Sequence, residues 1–499
     1  MSSKEKKMAA AAEEAKKNRK FYTACIVFIV CLAIVVAAAA LINSNITTTK
    51  TTAISVGETD YSPAEFSYFY RSAVSSTYAS IYESYGEMAA YLLDTTRPLS
   101  EQTSLFGDGT QTWSEYFYNQ AVINLTNMTV LYDEAVKAGL TLTDDDKAAI
   151  EADVAYYEEV AVSNGYGDLD TFLATNFGKG FDSELLREIA EKQYLAAQYA
   201  TQLDGSFEYS AEEIEEHYTA NSDNFDFVKF HYYLVGTAGE AFTDLSDEEK
   251  VPAAHEAAEE IALAKTSEEF AKKVRAFVPD SSKNLYERVE STMTITQGQS
   301  VSEVYKDWIM DENRSEGDTT VIDTEGGSYA LMFVSRNDNH YQLVDVRHIL
   351  IPALADENDQ FTEEALATAK AEAERIYALW QENPTEENFA ALATEYSQDE
   401  GSMTIGGLYR EVYQDYMVEE FNNFLFHEGN KPGDTGIVYG TNGSYAGYHI
   451  MYFSALGDMF SDRISESDMR AADYNAAMNA LVENHPVAEG SGMKYVNLD

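Results

Sequence analysis

The strings VRHILI (346–351), ENFAALATEYSQDEGSMTIGGLY (387–409), MVEEF (417–421) and GYHIMYF (447–453) decide how this chain is read. The first and last are short apolar runs rich in β-branched and aromatic residues, the composition of strands. Between them the periodicity predicts a helix over Thr362–Gln381, a shorter one over Thr385–Tyr396, a glycine-rich loop and a further helix near Met417–Phe426. The same order occurs once before. FHYYLV (230–235) lines up with VRHILI, and EEFAKKV (268–274) with ENFAALA (387–393). GDTTVI (317–322) lines up with GDTGIV (433–438), and YALMFVS (329–335) with YHIMYFS (448–454). Four matches in one order argue for a unit used twice. Each copy reads β-α-α-loop-α-β, which suits a small α+β sheet covered by helices.

Outside the repeat the chain is mostly helical. Ser62-Pro63 starts a helix carrying Phe66, Phe69, Tyr70, Tyr78, Tyr82 and Tyr85. Trp113–Lys137 is a second long amphipathic segment, Thr143 caps a third, and Ser183–Leu203 is the last of this group. These aromatics read first as helix core, and second as a cradle for unfolded chains, apolar with a wettable edge. Residues 458–499 read as a helix over Ser465–Asn484 followed by a Gly/Ser-rich tail.

Composition narrows the function. The 499 residues carry 34 Lys+Arg against 85 Asp+Glu, a net charge of −51. Phosphate backbones are repelled by such a surface, so nucleic acid is excluded as a partner. With 45% hydrophobic and 12% aromatic residues the chain is folded rather than disordered. Both cysteines, Cys25 and Cys31, lie in one apolar run, so no thiol nucleophile or cysteine zinc site is available elsewhere.

That run, Phe21–Ile42, has no charged residue and is long enough to span a bilayer. Lys4, Lys6, Lys7, Lys16, Lys17, Arg19 and Lys20 precede it and acidic sequence follows, which predicts a cytoplasmic tail and an outer bulk. A cleaved signal peptide, with small residues at Ala37–Ala40, is the alternative; the length of the run favours a retained anchor.

The second copy resembles the parvulin family of peptidyl-prolyl cis/trans isomerases. The motifs quoted above occur in family order across about 345–455, and the whole layout resembles membrane-attached foldases of the PrsA/SurA type. The resemblance implies that His348 and His449 are the family's two central histidines, facing each other on neighbouring strands. It implies that Asp399 is the carboxylate beside them, and that Leu408, Met417 and Phe421 form the proline pocket, with Met417 and Phe421 on one helix face. Ser402 and Gly406-Gly407 match the loop beneath the site, with Ser402 placed at the substrate. The GGLY string and the long YGTNGSYA stretch (439–446) depart from the family pattern and predict a groove rim that differs from the family's, with the pocket residues kept. The acidic loop PALADENDQ (352–360) argues against a phosphate-directed preference. In the first copy the string match puts Tyr232 at the place of His348 and Ala330 at that of His449, so that copy reads as degenerate.

Together these readings predict an α+β chain. A basic tail covers 1–20, a transmembrane anchor 21–43, a helical chaperone-like domain 44–205, a degenerate parvulin-like domain 206–340, a parvulin domain 341–457, and a C-terminal helix and tail 458–499. The expected activity is X-Pro isomerisation of unfolded or proline-containing secreted polypeptides at the outer face of the membrane of a Gram-positive-type bacterium. No cofactor is needed, since no covalent bond breaks, and a His-Asp-His metal site would lack the three or four converging ligands zinc requires. A holdase that only binds peptide, or an envelope scaffold, are the competing functions; neither needs the His348/Asp399/His449 set.

Overall fold

The computed structural model describes residues 45–107, 109–238, 242–356, 360–441 and 445–499. The apolar run Phe21–Ile42, both cysteines and the basic flank lie outside them, as do parts of the 352–360 loop and the 439–446 stretch. Among the described residues no helix is long and apolar enough to cross a membrane. The chain divides into two compact units: one made of the residues before Tyr209 together with Arg470–Asp499, the other of Tyr209–Met469.

The first unit is built on long helices whose starts are written in the sequence. Ser62 and Glu65 form a capping box ahead of Pro63–Tyr85, Thr112 and Glu115 one ahead of Trp113–Lys137, and Thr143 and Asp146 one ahead of Asp144–Ser163. Each box satisfies backbone N–H groups that helix geometry leaves orphaned. Phe66, Tyr70, Trp113 and Phe117 are fully buried between these helices and Ser183–Asp204. A small sheet closes the unit. Strands β1 (Ile54–Val56) and β2 (Thr59–Tyr61) form a hairpin, and β1 also pairs with Val487–Glu489 from the far end of the chain. The stretch read as a Gly/Ser-rich tail is thus partly a strand. Its partner is more than four hundred residues away, which no local pattern reveals. Beyond it the Leu498 carbonyl accepts from Tyr70 and from Ser114 Oγ, the latter at 2.9 Å.

The second unit contains two four-stranded antiparallel sheets of the same order. The first runs β4-β3-β6-β5, from β3 (Phe227–Gly236), β4 (Met293–Gln297), β5 (Thr319–Thr324) and β6 (Gly327–Asn337). The second runs β8-β7-β10-β9, from β7 (Gln342–Pro352), β8 (Leu408–Val412), β9 (Thr435–Thr441) and β10 (Ala446–Met459). The β-α-α-loop-α-β expectation therefore undercounts the strands. The GDTTVI and GDTGIV strings lie largely within edge strands, and a second edge strand sits at the opposite side of each sheet. Short, partly polar edge strands carry too weak a period to be read locally.

Alternation sorts each sheet into two faces. On one face of the second sheet Ile349, Ile351 and Ile450 pack against the helices Glu363–Glu382 and Glu386–Tyr396 through Ala373, Ile376 and Phe389. On the other, Val344, Val346, Met451 and Phe453 pack against Phe421 and Leu425. The same residues in the first copy obey a corrected register. Tyr232 lies opposite Leu331 and Leu234 opposite Tyr329, whereas His348 lies opposite Met451 and Leu350 opposite His449. Tyr329, not Ala330, therefore stands at the place of His449. The string match slipped by one residue, and one residue exchanges the faces of a strand. Ala330 in fact belongs to the helix-side core.

Removing residues 486–499 should strip β1 of its outer partner and free the Tyr70 and Ser114 hydroxyls. A two-stranded hairpin is marginal on its own. The thermal midpoint of the helical unit is expected to fall, roughly 2–4 °C for each kcal/mol lost. An unchanged midpoint by circular dichroism would show the tail to be unimportant to this fold.

Candidate active site

His348 on β7 and His449 on β10 are diagonal neighbours on the face of the second sheet that carries Phe421. Their Nδ1 atoms are 3.1 Å apart, and the rings lie nearly parallel at 16° with centroids 5.3 Å apart. Both are only 5% exposed. Phe421 stands edge-on to both imidazoles, 5.5 Å from each. Behind them, Asp399 Oδ2 is 2.9 Å from His348 Nε2 and also accepts from the Tyr409 hydroxyl at 3.0 Å and from Ser402 Oγ. At the other end the Tyr445 hydroxyl lies 2.8 Å from His449 Nε2.

Backbone geometry lets these groups approach. Gly407 has φ +71°, and a Cβ there would meet the His348 carbonyl at 2.2 Å; its own carbonyl accepts from the His348 N–H. Gly440 on β9 leaves the space that His449 fills, since a Cβ would lie 2.9 Å from Nε2. Arg347, on the opposite face, ties the loop down by donating to the carbonyls of Ile405 and Gly406 and to Glu386.

Charge follows from burial and partners. The hydrogen bond from His348, aided by those from Ser402 and Tyr409 and opposed by partial burial, holds the Asp399 carboxyl far below the usual range. Burial, with His348 beside it, pushes His449 down to about 3, so this imidazole is neutral at physiological pH. Burial raises Tyr409 and Tyr445 to about 12, so both remain hydroxyl donors; Asp399 adds to the first and Glu420 to the second. A carboxylate only accepts, so His348 Nε2 donates to Asp399. In the tautomer of His348 that carries hydrogen on Nε2 and leaves Nδ1 as an acceptor, one ordering satisfies every contact. Tyr445 donates to His449 Nε2, His449 Nδ1 to His348 Nδ1, and His348 Nε2 to Asp399.

Most of the expected residues converge here, with corrections. His348, Asp399, His449 and Phe421 meet as described. Met417 packs with the Phe421 cluster, but it precedes the helix Glu419–Leu425, whose N-cap is Val418. It does not share a helix face with Phe421, because the helix starts later than the spacing suggests. Leu408 lies opposite Arg347 and Tyr409 opposite Val346, so alternation turns Tyr409 to the histidines and Leu408 to the other face. Ser402 is buried and its hydroxyl donates to Asp399. Tyr409, Tyr445 and Gly440 escaped the sequence reading. Tyr409 stands in the GGLY departure and Tyr445 in the long stretch before GYHI, so the departures themselves marked them. Among the described residues no group of three or more His, Cys, Asp or Glu could hold a metal ion.

This paired-histidine groove on an antiparallel sheet is the architecture of a parvulin-type domain. Residues 329–453 match the family model of the PPIC-type PPIASE domain. No curated protein matches the chain. Among solved structures it is similar to peptidylprolyl isomerase PrsA from Bacillus anthracis, at 22% identity over 29% of this chain and 59% of that one, with a TM-score of 0.19. It is also similar to PrsA from Bacillus subtilis, at 15% identity over 77% and 91% of the two chains (TM-score 0.27). Foldase protein PrsA from Streptococcus pneumoniae matches at 12% identity over 61% and 98% (TM-score 0.22). The alignment thus spans 59% of the Bacillus anthracis chain.

The buried pair predicts acid sensitivity. His449 has an ordinary value of 6.5 and a folded value of about 3, so between these the unfolded chain binds a proton that the folded one refuses. Stability should therefore fall as pH drops from 6.5 toward 3. Asp399 acts in the same sense: its stabilisation is present above its ordinary value of 3.8 and is lost as pH falls through its depressed folded value. In His449→Asn the fall in urea midpoint between neutral pH and about pH 4.5 should shrink. An unchanged pH slope would mean that His449 is not held neutral by the fold.

Proposed function

We propose that the chain is a peptidyl-prolyl cis/trans isomerase and chaperone that assists the folding of secreted or surface polypeptides. The observation that carries this reading is the Tyr445–His449–His348–Asp399 chain of hydrogen bonds above Phe421, within the region that matches the PPIC-type family model.

An X-Pro bond turns slowly because its resonance barrier is roughly 20 kcal/mol. Nothing covalent need be made or broken. The groove holds the proline ring against Phe421 and Met417, while the fixed dipoles of the two hydrogen-bonded imidazoles face the peptide as it twists. Only interactions stronger in the twisted form than in either planar one speed the rotation. Asp399, Ser402 and Tyr409 act as positioning residues by fixing the tautomer and tilt of His348. The first sheet carries Tyr232 and Tyr329 where the histidines stand, and we assign it no isomerase activity. In the helical unit Tyr78, Tyr156, Tyr157, Phe172 and Phe177 line a separate open cleft of about 770 Å³, which favours a chaperone role for that unit toward unfolded chains. The Phe21–Ile42 run would anchor the protein, with the basic residues inside and the acidic bulk outside.

Truncating Phe421 is a poor test, because losing a buried phenylalanine costs about 3–5 kcal/mol of stability. Asp399→Asn keeps the volume, and the Ser402 and Tyr409 hydroxyls can rotate to suit an amide. In a protease-coupled assay its kcat/KM should fall more than tenfold, over ~1.4 kcal/mol of barrier, with little change in melting temperature. Wild-type activity in this variant would remove the carboxylate from the mechanism. Digestion of the outer region by protease added to intact cells tests the topology, and full protection would refute it.

A further inference from the structure

A cleft of about 500 Å³ opens between the two sheets of the second unit, beside the histidine groove. One wall belongs to the first copy: Lys229 on β3, Met293 and Ile295 on β4, and Leu285 in the turn before it. The other is the rim of the groove itself, Met417 through Glu420, together with Thr441 at the end of β9. The two walls are joined by an ion pair, Lys229 to Asp415 at 3.8 Å. Leu285 is 67% exposed, a large apolar side chain with no core to serve.

The cleft is continuous with the site. Met417 both lines it and packs in the Phe421 cluster. Thr441 donates to the Tyr445 carbonyl at 2.9 Å, and the Tyr445 hydroxyl reaches His449. Glu420 also lies close enough to Tyr445 for its charge to hold the phenol's proton more tightly. A peptide whose proline lies on Phe421 is extended, about 3.3 Å per residue, so its flanking residues must leave over this rim.

We infer that the first copy serves as the outer wall of the substrate groove: the cleft receives the extended client segment flanking the isomerised proline, and favours an apolar side chain accompanied by Lys or Arg. This rests on the isomerase reading above. The apolar part would lie against Leu285, Met293 and Ile295. The charge preference comes from what is left after pairing. Lys229 is engaged by Asp415 and Arg288 by Glu290, at 3.3 Å for the latter. Among the described residues no cation pairs with Glu419 or Glu420, so a basic client residue meets complementary charge and an acidic one meets repulsion. The occupant is a client chain and not a second copy, because a surface this acidic repels itself.

The test uses the full chain and two synthetic substrates with the same central tetrapeptide, one bare and one extended by about six residues on each side carrying Leu and Lys. The wild type should show a higher kcat/KM for the extended peptide, and a lower one when Lys is replaced by Glu. Leu285→Ser, at an exposed position, should lower kcat/KM for the extended peptide about fivefold and leave the bare tetrapeptide unchanged. Glu419→Gln should narrow the Lys-over-Glu preference. Equal rates for bare and extended peptides in the wild type, or an equal fall for both in Leu285→Ser, would overturn the proposal. If the wild type isomerises neither peptide, the isomerase reading fails and the cleft is judged by fluorescence anisotropy of the labelled extended peptide. Weaker binding in Leu285→Ser then supports the cleft, and no binding, or binding unaffected by that change, rejects it.

Discussion

The pairing register of β7 and β10 is the constraint on which the site depends. His348 opposite Met451, and Leu350 opposite His449, puts both imidazoles on one face as diagonal neighbours. A slip of one residue would send one of them among the helices that cover Ile349 and Ile450. The rest is accommodation to that pair. Gly407 comes within van der Waals reach of the His348 backbone, Gly440 clears room for the His449 ring, and Asp399 gathers three donors so that its charge is met inside the fold. An unpartnered carboxylate at such a place would be expensive, and each donor removed would raise that expense.

The two sheets show what separates scaffold from chemistry. Their strand orders agree, and the facing positions correspond once the register is corrected. At those positions one sheet carries two histidines, the other Tyr232 and Tyr329. The tyrosines join Tyr305 in an aromatic cluster, with ring centroids 6.2 and 5.3 Å from it. An aromatic ring fills the volume without the linked donors and acceptors that two imidazoles and a carboxylate provide. The same fold thus supports a histidine–carboxylate relay in one copy and a tyrosine cluster in the other.

Much of this was legible in the sequence and some was not, for physical reasons. The central strands and capped helices announce themselves through apolar runs and through Ser62/Glu65, Thr112/Glu115 and Thr143/Asp146, all local signals. The histidine pair was legible because the flanking motifs fix the order of the strands. Edge strands β4, β5, β8 and β9 were missed or blurred, since their stability comes from a neighbour rather than from their own period. The errors at Leu408/Tyr409 and Ala330/Tyr329 are both slips of one residue. Strand facing alternates residue by residue, so a string match that is one place out inverts the assignment. The strand Val487–Glu489 was invisible because its pairing with β1 joins distant parts of the chain.

A reaction that moves no proton overall suits a site in which His449, Asp399, Tyr409 and Tyr445 all keep one protonation state near neutrality. Two cationic imidazoles 3.1 Å apart would repel strongly at low local dielectric. Burial avoids this by keeping His449 neutral, and the ionised Asp399 then fixes the direction of the whole relay through His348. Tyr445 completes it as a donor because burial and the Glu420 charge both oppose loss of its proton. The result is a set of oriented dipoles that need not rearrange while the amide twists, and preorganisation of that kind is where electrostatic catalysis gains most of its advantage over water. The cost appears elsewhere, as a fold whose stability falls in acid, where the unfolded chain can bind the proton that the buried histidine refuses.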